Sequence, residues 1–525
     1  MIPIKPIPLS FGFNLCRSGR TTLHSMKLKA WALLTAAIAT AGLPPAAWSA
    51  GPTALDLNLP SLGTVAGSEL SPADEQSLGA QIMGQVRSDP TYMTDPETSE
   101  YLNRLGYQLV SRANTYTYQF FFFPIRDSSL NAFALPGGYI AVHTGTIIGA
   151  KNESELAGVM GHEIGHVSQR HIARMIEGQH SNMALTLGSL LLAILAARAG
   201  GSSGGHAAAA VAMGSQAAMI QSQLNYSQDA EREADRIGLQ TLYNAGFDPR
   251  GMESFFERLQ SSNRFYESAA PAYLSTHPLT VERMSDMENR TRQMPSRIHR
   301  DSLDFRLIQV RLEVLQETRH DGWYKVQKEF QRRLQSAIGT EAAVLHYGLS
   351  VVAQQLHQKA DALQHARAAM EAGKSAILVR NLTRTEYDAA RTAGEKTKAV
   401  ESAKQAVDRF PLSKMIAENY VDLLYAQGRH QDLIHFLRNS TALHQDNADY
   451  HGLLARSYEK LGKKSLQYLH TGEMYALLGA TEAAVYQLSM GQKASDGDFY
   501  TMSQIDARLR ELREQLLIER EKARK

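Results

Sequence analysis

The sequence predicts a mainly α-helical protein with one small β-sheet in its N-terminal half and a solenoid of paired helices in its C-terminal half. Residues 118–125 are aromatic-rich and residues 132–143 are extended in character, whereas nearly everything beyond Glu153 has helical character. In the C-terminal third, small residues recur at intervals of 34 residues, at Ala360, Gly394, Gly428 and Gly462. That interval is the length of a two-helix repeat.

Composition excludes several classes of protein. Of the 525 residues, 43% are hydrophobic and 21% are charged, which is ordinary for a folded soluble chain and excludes a disordered or polytopic membrane protein. Lysine and arginine number 55 against 53 acidic residues, so there is no basic excess to bind nucleic acid. Cys16 is the single cysteine, which excludes a disulfide framework and a cysteine-based metal or redox site.

The N-terminus has the pattern of a secretory signal. Lys27 and Lys29 precede an apolar segment at 30–43, and Pro44-Pro45 and the small residues around Trp48 follow. A membrane anchor is the alternative, but this segment is shorter than the roughly 20 residues that span a bilayer. We therefore expect residues 1–49 to be a cleaved signal peptide, with Met26 as an alternative start, and residues 50–70 to be a linker.

The first folded element is expected to be a helix that starts at Ser71, with Pro72 at its first position and Asp74 in its first turn. The two extended segments follow, and the second is interrupted by a turn at residues 136–138. These elements open a predicted domain over residues 71–295, and a helical repeat domain is predicted over residues 300–525.

A metal-binding pattern lies in the predicted helix around residue 160. His162, Glu163 and His166 form an H-E-x-x-H motif. Four residues advance a helix by about 400°, so both imidazoles share one face and can reach one tetrahedral zinc ion. Glu163 lies about 100° around the helix, where a carboxylate can hold a water and take its proton. The pattern indicates a metallopeptidase; the alternative is a pair of surface histidines.

A third protein ligand is expected, because catalytic zinc sites usually have three. The metzincin pattern fails, since Gln169 and Ile172 occupy the places of its glycine and third histidine, and His171 lies about 140° away on the helix. A downstream acidic cluster supplies Glu231 and Asp235 on one helical face. Glu231 is suited to bind zinc and Asp235 to hydrogen-bond the far nitrogen of a ligating histidine. A solvated acidic face is the alternative.

Four motifs together resemble a known family. They are N-A-F-A-L-P-G-G at 131–138, H-E-x-x-H at 162–166, E-x-x-A-D at 231–235 and H-P at 277–278. They are similar to those of the gluzincin metallopeptidases that include the CAAX prenyl protease and HtpX. The resemblance covers about residues 71–290 and implies a zincin-type α+β metallopeptidase domain. The 34-residue interval predicts tetratricopeptide-like repeats after it, and an irregular helical bundle is the alternative. The resemblance also implies one zinc ion per chain, held by His162, His166 and Glu231, with Glu163 as general base.

Three further features are placed around this site. An extended substrate is expected to pair with a strand beside the active-site helix, formed by Asn131, Ala132, Phe133, Ala134 and Leu135; an internal strand is the alternative. Either His277 or Arg283 can stabilise the oxyanion of the reaction. His277 can instead occupy the open zinc position and keep the enzyme latent, and a purely structural histidine is the remaining alternative.

Residues 183–218 are predicted to form a mobile helical flap. An apolar run of 15 residues ends at Arg198, and a Gly/Ser break at 200–205 separates it from an Ala-rich run. The first run is short for a membrane span, so the flap is expected to cover the cleft or to touch the membrane surface.

The sequence thus predicts an exported, zinc-dependent endopeptidase that degrades misassembled envelope proteins, and the resemblance implies a periplasmic location. The resemblance implies a further role in the assembly of outer-membrane β-barrel proteins, with the helical repeats docking on the β-barrel assembly machinery. The alternative is a chaperone or assembly scaffold whose protease site is largely latent. An aminopeptidase is disfavoured, because no motif that binds a free amine is visible.

Overall fold

The computed structural model describes residues 71–87, 89–113, 119–177, 227–265, 272–443 and 447–522. The expected signal peptide, the linker at 50–70 and the flap at 183–218 lie outside the described residues. Within the described ranges, no helix combines the length and apolar character needed to cross a membrane.

The β-sheet has three strands, β1 (Phe121–Ile125), β2 (Ala132–Leu135) and β3 (Tyr139–His143). Their order is β1-β3-β2, with β1 parallel and β2 antiparallel to β3. The turn between β2 and β3 is a 3₁₀ turn over Pro136–Gly138, as predicted. Gly137 has φ +76° there, and a Cβ on it would come within 2.7 Å of the neighbouring helix backbone, so both its conformation and its surroundings require glycine.

Both faces of the sheet are covered, which explains the unbroken aromatic run of β1. Phe122 faces the main core, whereas Phe123 faces a smaller core shared with the first helix. Consecutive strand residues point to opposite faces, so burial of both faces requires apolar residues at successive positions.

Nine helices are described in the N-terminal part of the chain. They are α1 (Pro72–Val86), α2 (Pro96–Val110), α3 (Thr144–Gly149), α4 (Glu153–Ser168), α5 (His171–Glu177), α6 (Gln228–Asn244), α7 (Arg250–Phe265), α8 (Ala272–Thr276) and α9 (Val281–Gln293). Helix α1 starts as predicted: Ser71 caps it, and Ser71 and Asp74 exchange the two hydrogen bonds of a capping box. Helix α4 is the central element and is buried on every side from Glu153 to Val167.

The C-terminal part described here is entirely helical. Its α-helices are α10 (Leu303–Leu315), α11 (His320–Leu334), α12 (Gly339–Gln355), α13 (Lys359–Ala369), α14 (Ala376–Ala389), α15 (Ala393–Arg409), α16 (Lys414–Ala426), α17 (His430–Asn439), α18 (Ala448–Lys460), α19 (Lys464–Leu477), α20 (Thr481–Lys493) and α21 (Phe499–Lys522). The mainly α fold class with a small sheet is therefore confirmed.

Of the four residues spaced 34 apart, Ala360, Gly394, Gly428 and Gly462, two lie at turns between helices. Gly428 and Gly462 each follow a helix with φ +70°, the left-handed conformation that ends a helix at low steric cost. Gly394 instead lies in the first turn of α15. The corresponding left-handed residue earlier in the chain is His357, at φ +59°, rather than Ala360. The assignment of these helices to tetratricopeptide repeats, and the domain boundaries, stay predictions.

A buried ionic cluster joins the start of α2 to the C-terminal helices. Arg311 donates to both carboxylate oxygens of Asp95, with its Nη2 2.6 Å from Oδ1, and the same Nη2 lies 3.1 Å from Glu97 Oε2. Arg380 contacts the other oxygen of Glu97. We call these four residues the junction cluster. Since each charge has a partner, the cluster holds the sheet-bearing part and the C-terminal helices in one arrangement.

Candidate active site

Helix α4 brings the two histidines of the motif together. Asn152 caps the helix by accepting a hydrogen bond from Glu155 N. His162 and His166 are fully buried, and their Nε2 atoms lie 2.9 Å apart. The helical periodicity predicted this shared face.

Helix α6 supplies the acidic residues. Glu231 Oε1 lies 3.4 Å from His166 Nε2, and Glu231 Oε2 lies 3.5 Å from His162 Nε2. Such proximity requires α4 and α6 to approach closely, and small residues make that possible. A Cβ on Gly165 would come within 2.9 Å of Ala234 O. A Cβ on Gly238 of α6 would come within 2.9 Å of the backbone of α4, at Gly161 and His162.

A fourth donor comes from the segment just after the short helix α8. His277 is buried, and its Nδ1 lies 3.0 Å from Glu231 Oε1 and 3.3 Å from His162 Nε2. The ring of Tyr273, one helical turn earlier, stacks on the His277 imidazole with centroids 4.6 Å apart. The segment therefore presents His277 towards the two motif histidines with a fixed ring orientation.

These four residues fit a metal ion. One donor atom from each of His162, His166, Glu231 and His277 lies within 4.8 Å of the other three. The closest donor–donor distances range from 2.9 to 3.4 Å. A tetrahedral zinc ion with bonds of about 2.0–2.1 Å separates its ligands by about 3.3 Å. The spacing and the nitrogen and oxygen chemistry of this donor set thus fit a bound metal ion.

Glu163 lies beside the donor set. The Tyr273 hydroxyl donates a hydrogen bond to its Oε1 at 3.4 Å, and His277 Nε2 lies 3.6 Å from the same oxygen. Its other oxygen, Oε2, is buried and has no hydrogen-bond partner among the residues that the structure describes. A buried carboxylate oxygen without a donor costs free energy, and a water or substrate proton there would relieve that cost.

Asp235 and Arg283 form a second layer behind the donors. Asp235 Oδ1 lies 2.9 Å from His162 Nδ1, the far nitrogen to which the sequence analysis assigned it. Arg283 is buried, and its Nε and Nη2 donate hydrogen bonds to the two carboxylate oxygens of Asp235 at 2.7 and 2.8 Å. Its Nη1 lies 2.7 Å from Glu231 Oε2 and donates to Pro278 O at 2.6 Å. The guanidinium therefore fixes two acids and the segment that carries His277.

The electrostatics of the site follow from burial opposed by close partners. Burial disfavours a charged His162, but Asp235 and Glu231 outweigh it and raise its pKa to about 9. Burial lowers the pKa of His166 well below its ordinary value. Burial also opposes ionisation of Glu231, yet the charge of His277 and hydrogen bonds from the histidines hold its pKa well below the usual range. The cluster thus keeps an ionised carboxylate among imidazoles, the charge distribution that favours a bound cation.

The predicted substrate strand is an edge strand. Residues 132–135 form β2, which pairs with β3 on one side and has no strand partner on the other side among the described residues. Helix α4 packs against β2. At the start of this edge, Tyr273 N donates to Leu130 O at 3.3 Å, so the segment that carries His277 also contacts the approach to the strand.

Sequence reasoning missed the contact between His171 and the donor set. His171 Nδ1 lies 2.9 Å from His166 Nδ1, although helical geometry predicted that His171 would miss the site. His171 is not one of the four donors, so the structure is consistent with the expectation that it does not bind the metal. No sequence signal marks this position: the helix breaks after α4 at Arg170, which adopts φ +54° although it is not a glycine.

A buried H-E-x-x-H helix whose histidines meet a glutamate from a second helix defines a metallopeptidase. The model of peptidase family M48 matches residues 96–291. The chain belongs to this family: it is a metal-dependent endopeptidase, and the resemblance found in the sequence is confirmed.

Two of its relatives align over most of their length. The chain is 32% identical over 468 residues to the beta-barrel assembly-enhancing protease of Escherichia coli strain K12, covering 87% of this chain and 91% of that protein. It is 33% identical over 479 residues to a putative beta-barrel assembly-enhancing protease of Vibrio cholerae, covering 89% and 93%. The metalloprotease LoiP of Escherichia coli strain K12 is 28% identical over 234 residues, which cover 42% of this chain and 82% of LoiP.

Proposed function

We propose that the chain is an exported zinc-dependent endopeptidase of the periplasm that degrades misassembled envelope proteins and assists outer-membrane β-barrel protein assembly. The observation that carries the chemistry is the set of four buried donors beside Glu163. The names of two relatives that align over nearly their whole length support the link to barrel assembly. The signal pattern at residues 26–49 supports export.

His162, His166 and Glu231 are proposed as the permanent zinc ligands. Two of the three are supported from behind by residues that fix their orientation. Asp235 Oδ1 lies 2.9 Å from His162 Nδ1, close enough to hold the proton on that nitrogen and leave the Nε2 lone pair for the donor set. Arg283 holds Asp235 and Glu231 together. Its contacts therefore support a positioning role, in place of the oxyanion role considered from sequence.

Peptide hydrolysis requires a proton acceptor next to the metal. A bound zinc ion would polarise the scissile carbonyl and acidify a water. Glu163 is proposed to take the proton of that water with Oε2, which has no partner among the described residues, and to return it to the leaving amine. Glu163 is fully buried, so bulk water does not screen its carboxylate, and its electrostatic interaction with a bound cation would be stronger than in solvent.

The free edge of β2 is proposed to align the substrate. An extended peptide that adds to this edge forms main-chain hydrogen bonds with residues 131–135, next to the helix that carries Glu163. Main-chain pairing orients a peptide with little demand on its side chains. This property suits an enzyme whose substrates are unfolded or misassembled proteins of many sequences.

His277 is proposed to be a removable fourth ligand. Its Nδ1 is as close to the other donors as they are to each other, so it takes the position that catalytic zinc sites leave open. Substrate cleavage then requires the segment around His277 to move away. The segment touches both Glu163 and Leu130, so its movement would expose the base and the strand edge together.

The helical solenoid is proposed to dock on the β-barrel assembly machinery, as expected from sequence. A peripheral membrane contact through residues 183–218 stays part of the proposal. The second candidate function, a chaperone or assembly scaffold with a largely latent protease site, is favoured by the position of His277. Both functions are compatible with one chain.

The test is a comparison of wild type with Glu163→Gln, which removes the base and keeps the side-chain volume. We expect the purified variant to retain zinc and to lose casein cleavage, and cells that carry it to accumulate misassembled envelope proteins that co-purify with it. The control is Glu329→Gln on the exposed face of α11, which should behave as wild type. Full rescue of an envelope defect by Glu163→Gln would favour the scaffold function instead.

A further inference from the structure

We infer that His171 is a positioning residue that sets the tautomer and orientation of His166; the inference builds on the proposed metal site. His171 is buried, with its Nδ1 2.9 Å from His166 Nδ1 and its Nε2 3.1 Å from Glu233 Oε2. Glu233 in turn accepts a hydrogen bond from Arg174 at 2.7 Å. The four side chains form a continuous chain from the donor set to the surface.

The direction of the hydrogen bonds follows from the chemistry of imidazole. A neutral imidazole carries one proton, and a histidine that binds a metal through Nε2 carries it on Nδ1. His166 must then donate from Nδ1, and His171 must accept with its own Nδ1. The remaining proton of His171 is on Nε2, which donates to the carboxylate of Glu233. A single tautomer of each ring satisfies both imidazole contacts, His166 to His171 and His171 to Glu233.

The backbone is bent to make this contact. A continuous helix would place His171 about 140° from His166. Arg170 instead adopts φ +54°, a strained conformation for a residue with a side chain. Its guanidinium is held by the buried Glu75 of α1, with Nε donating to Oε1 at 2.7 Å. The chain turns back at this point, and α5 begins at His171 with its ring against His166. Strain that is held by a buried ion pair indicates that the turn serves a purpose.

The two motif histidines therefore differ in how they are supported. Asp235 contacts the far nitrogen of His162 directly, whereas the carboxylate behind His166 acts through an intervening imidazole. Residues of this kind orient metal ligands, and their loss lowers metal affinity by roughly 10–100-fold. The expected result is that His171 sets the metal affinity through His166 without touching the metal.

The experiment uses four variants of the full chain. His171→Phe keeps a ring but removes the acceptor, and we expect metal affinity, measured by competition with a chromogenic chelator, to fall roughly 10–100-fold. His171→Asn places an amide oxygen near the position of Nδ1 and is expected to retain most of the affinity. Glu233→Ala, at a partly exposed side chain, should lower affinity less than His171→Phe. The matched control is His346→Phe, which breaks a histidine pair with Nδ1 atoms 3.0 Å apart in the solenoid.

The spectrum of the cobalt-substituted protein gives a readout other than activity. The d–d bands should shift in His171→Phe and stay at the wild-type position in His171→Asn and His346→Phe. Thermal unfolding of the metal-free proteins shows whether each variant folds; if His171→Phe does not, Glu233→Ala carries the test. Wild-type metal affinity in His171→Phe or, where that variant does not fold, in Glu233→Ala would overturn the inference. So would equal loss in the Phe and Asn variants. A His166→Ala variant that retains full affinity would instead refute the underlying ligand assignment.

Discussion

Gly238 of α6 lies directly against Gly161 of α4. A Cβ on Gly238 would come within 2.9 Å of the Gly161 carbonyl carbon and of His162 N. Contacts this short between a Cβ and a neighbouring backbone are essentially never tolerated, so the two helices can be this close only with glycine at that position. The spacing that results places Glu231, two turns earlier on α6, within reach of both motif histidines.

Gly238→Ala should therefore damage the metal site from a distance. The added methyl group forces α6 away from α4, which we expect to cost about 1–3 kcal/mol of unfolding free energy and to lower metal affinity. The control is Gly84→Ala on α1, where a Cβ meets nothing within 4 Å. Urea unfolding and chelator competition measure the two effects. Wild-type metal affinity in Gly238→Ala would show that helix spacing does not determine the donor geometry.

The ligand assignment predicts a sharp contrast within one motif. His162→Ala and His166→Ala should each lose metal and activity, because each removes a donor. Glu163→Gln should keep the metal and lose turnover, because the base is not a ligand. Metal analysis of the purified proteins and casein cleavage distinguish the two classes. Stoichiometric zinc in the double histidine variant would refute the assignment.

Asp235→Asn should weaken the site without dismantling it. The amide loses the charge that Arg283 and His162 share, and we expect metal affinity or turnover to fall roughly 10–100-fold. Chelator competition at fixed pH measures this effect. Asp286→Asn on the exposed face of α9, where the acid pairs with Arg290 four residues on, is the control. Unchanged affinity and turnover in Asp235→Asn would reduce it to a structural residue.

The position of His277 predicts that its removal activates the enzyme. His277→Ala vacates the fourth donor position, so casein cleavage at equal zinc occupancy should increase. A stabiliser of the oxyanion would behave in the opposite way, with a loss of about 10²–10³-fold. Arg283→Ala should lower turnover in either case, because it releases Glu231 and Asp235. A lowered rate in His277→Ala would discard the removable ligand.

The junction cluster predicts acid sensitivity of the folded state. Burial opposes ionisation of Asp95, but Arg311 outweighs it and lowers its pKa to about 2. Because the pKa of Asp95 is lower in the folded state, its ionisation stabilises the protein at pH values above the unfolded pKa of about 3.9. This stabilisation is lost as the pH falls from that value through 2. The contribution at neutral pH is about 2 kcal/mol.

Asp95→Asn should remove this acid-dependent component. It should also lower the unfolding free energy at neutral pH by about 3–5 kcal/mol, because it leaves Arg311 buried with weaker pairing. Urea unfolding between pH 2 and pH 7 measures both effects. Asp321→Asn on the exposed start of α11 is the control. An unchanged pH profile in Asp95→Asn would show that the cluster adds nothing to stability.

Local patterns predicted much of this molecule, and long-range contacts account for what they missed. The periodicity of a helix is short-range information, so it placed His162 with His166 and Glu231 with Asp235. Strand and turn patterns located β2, β3 and the turn between them. The left-handed Arg170 depends on a distant partner, Glu75, and the contact of His171 depends on that turn. No pattern confined to one segment contains either fact.

The two acidic partners of Arg283 and the contacts of the junction cluster were unpredictable for the same reason. Arg283 contacts Glu231 and Asp235 from a separate helix, 52 and 48 residues away in sequence. The positive charge of Arg283 made an oxyanion role plausible from sequence. In the structure, its guanidinium nitrogens already contact Asp235, Glu231 and the carbonyl of Pro278. At Gly394 the repeat interval coincided with a helix start, because spacing alone does not distinguish the position within a repeat.

The open side of β2 has a consequence for when a protein would be cleaved. An edge strand offers hydrogen bonds to any chain that still has unpaired amides. A strand of a β-barrel precursor would then be vulnerable only until its neighbour in the barrel occupies the same groups. Under this proposal, cleavage competes with folding of the precursor. A precursor that closes its own sheet quickly escapes cleavage, and the amino-acid sequence of the precursor matters only through the rate of that closure.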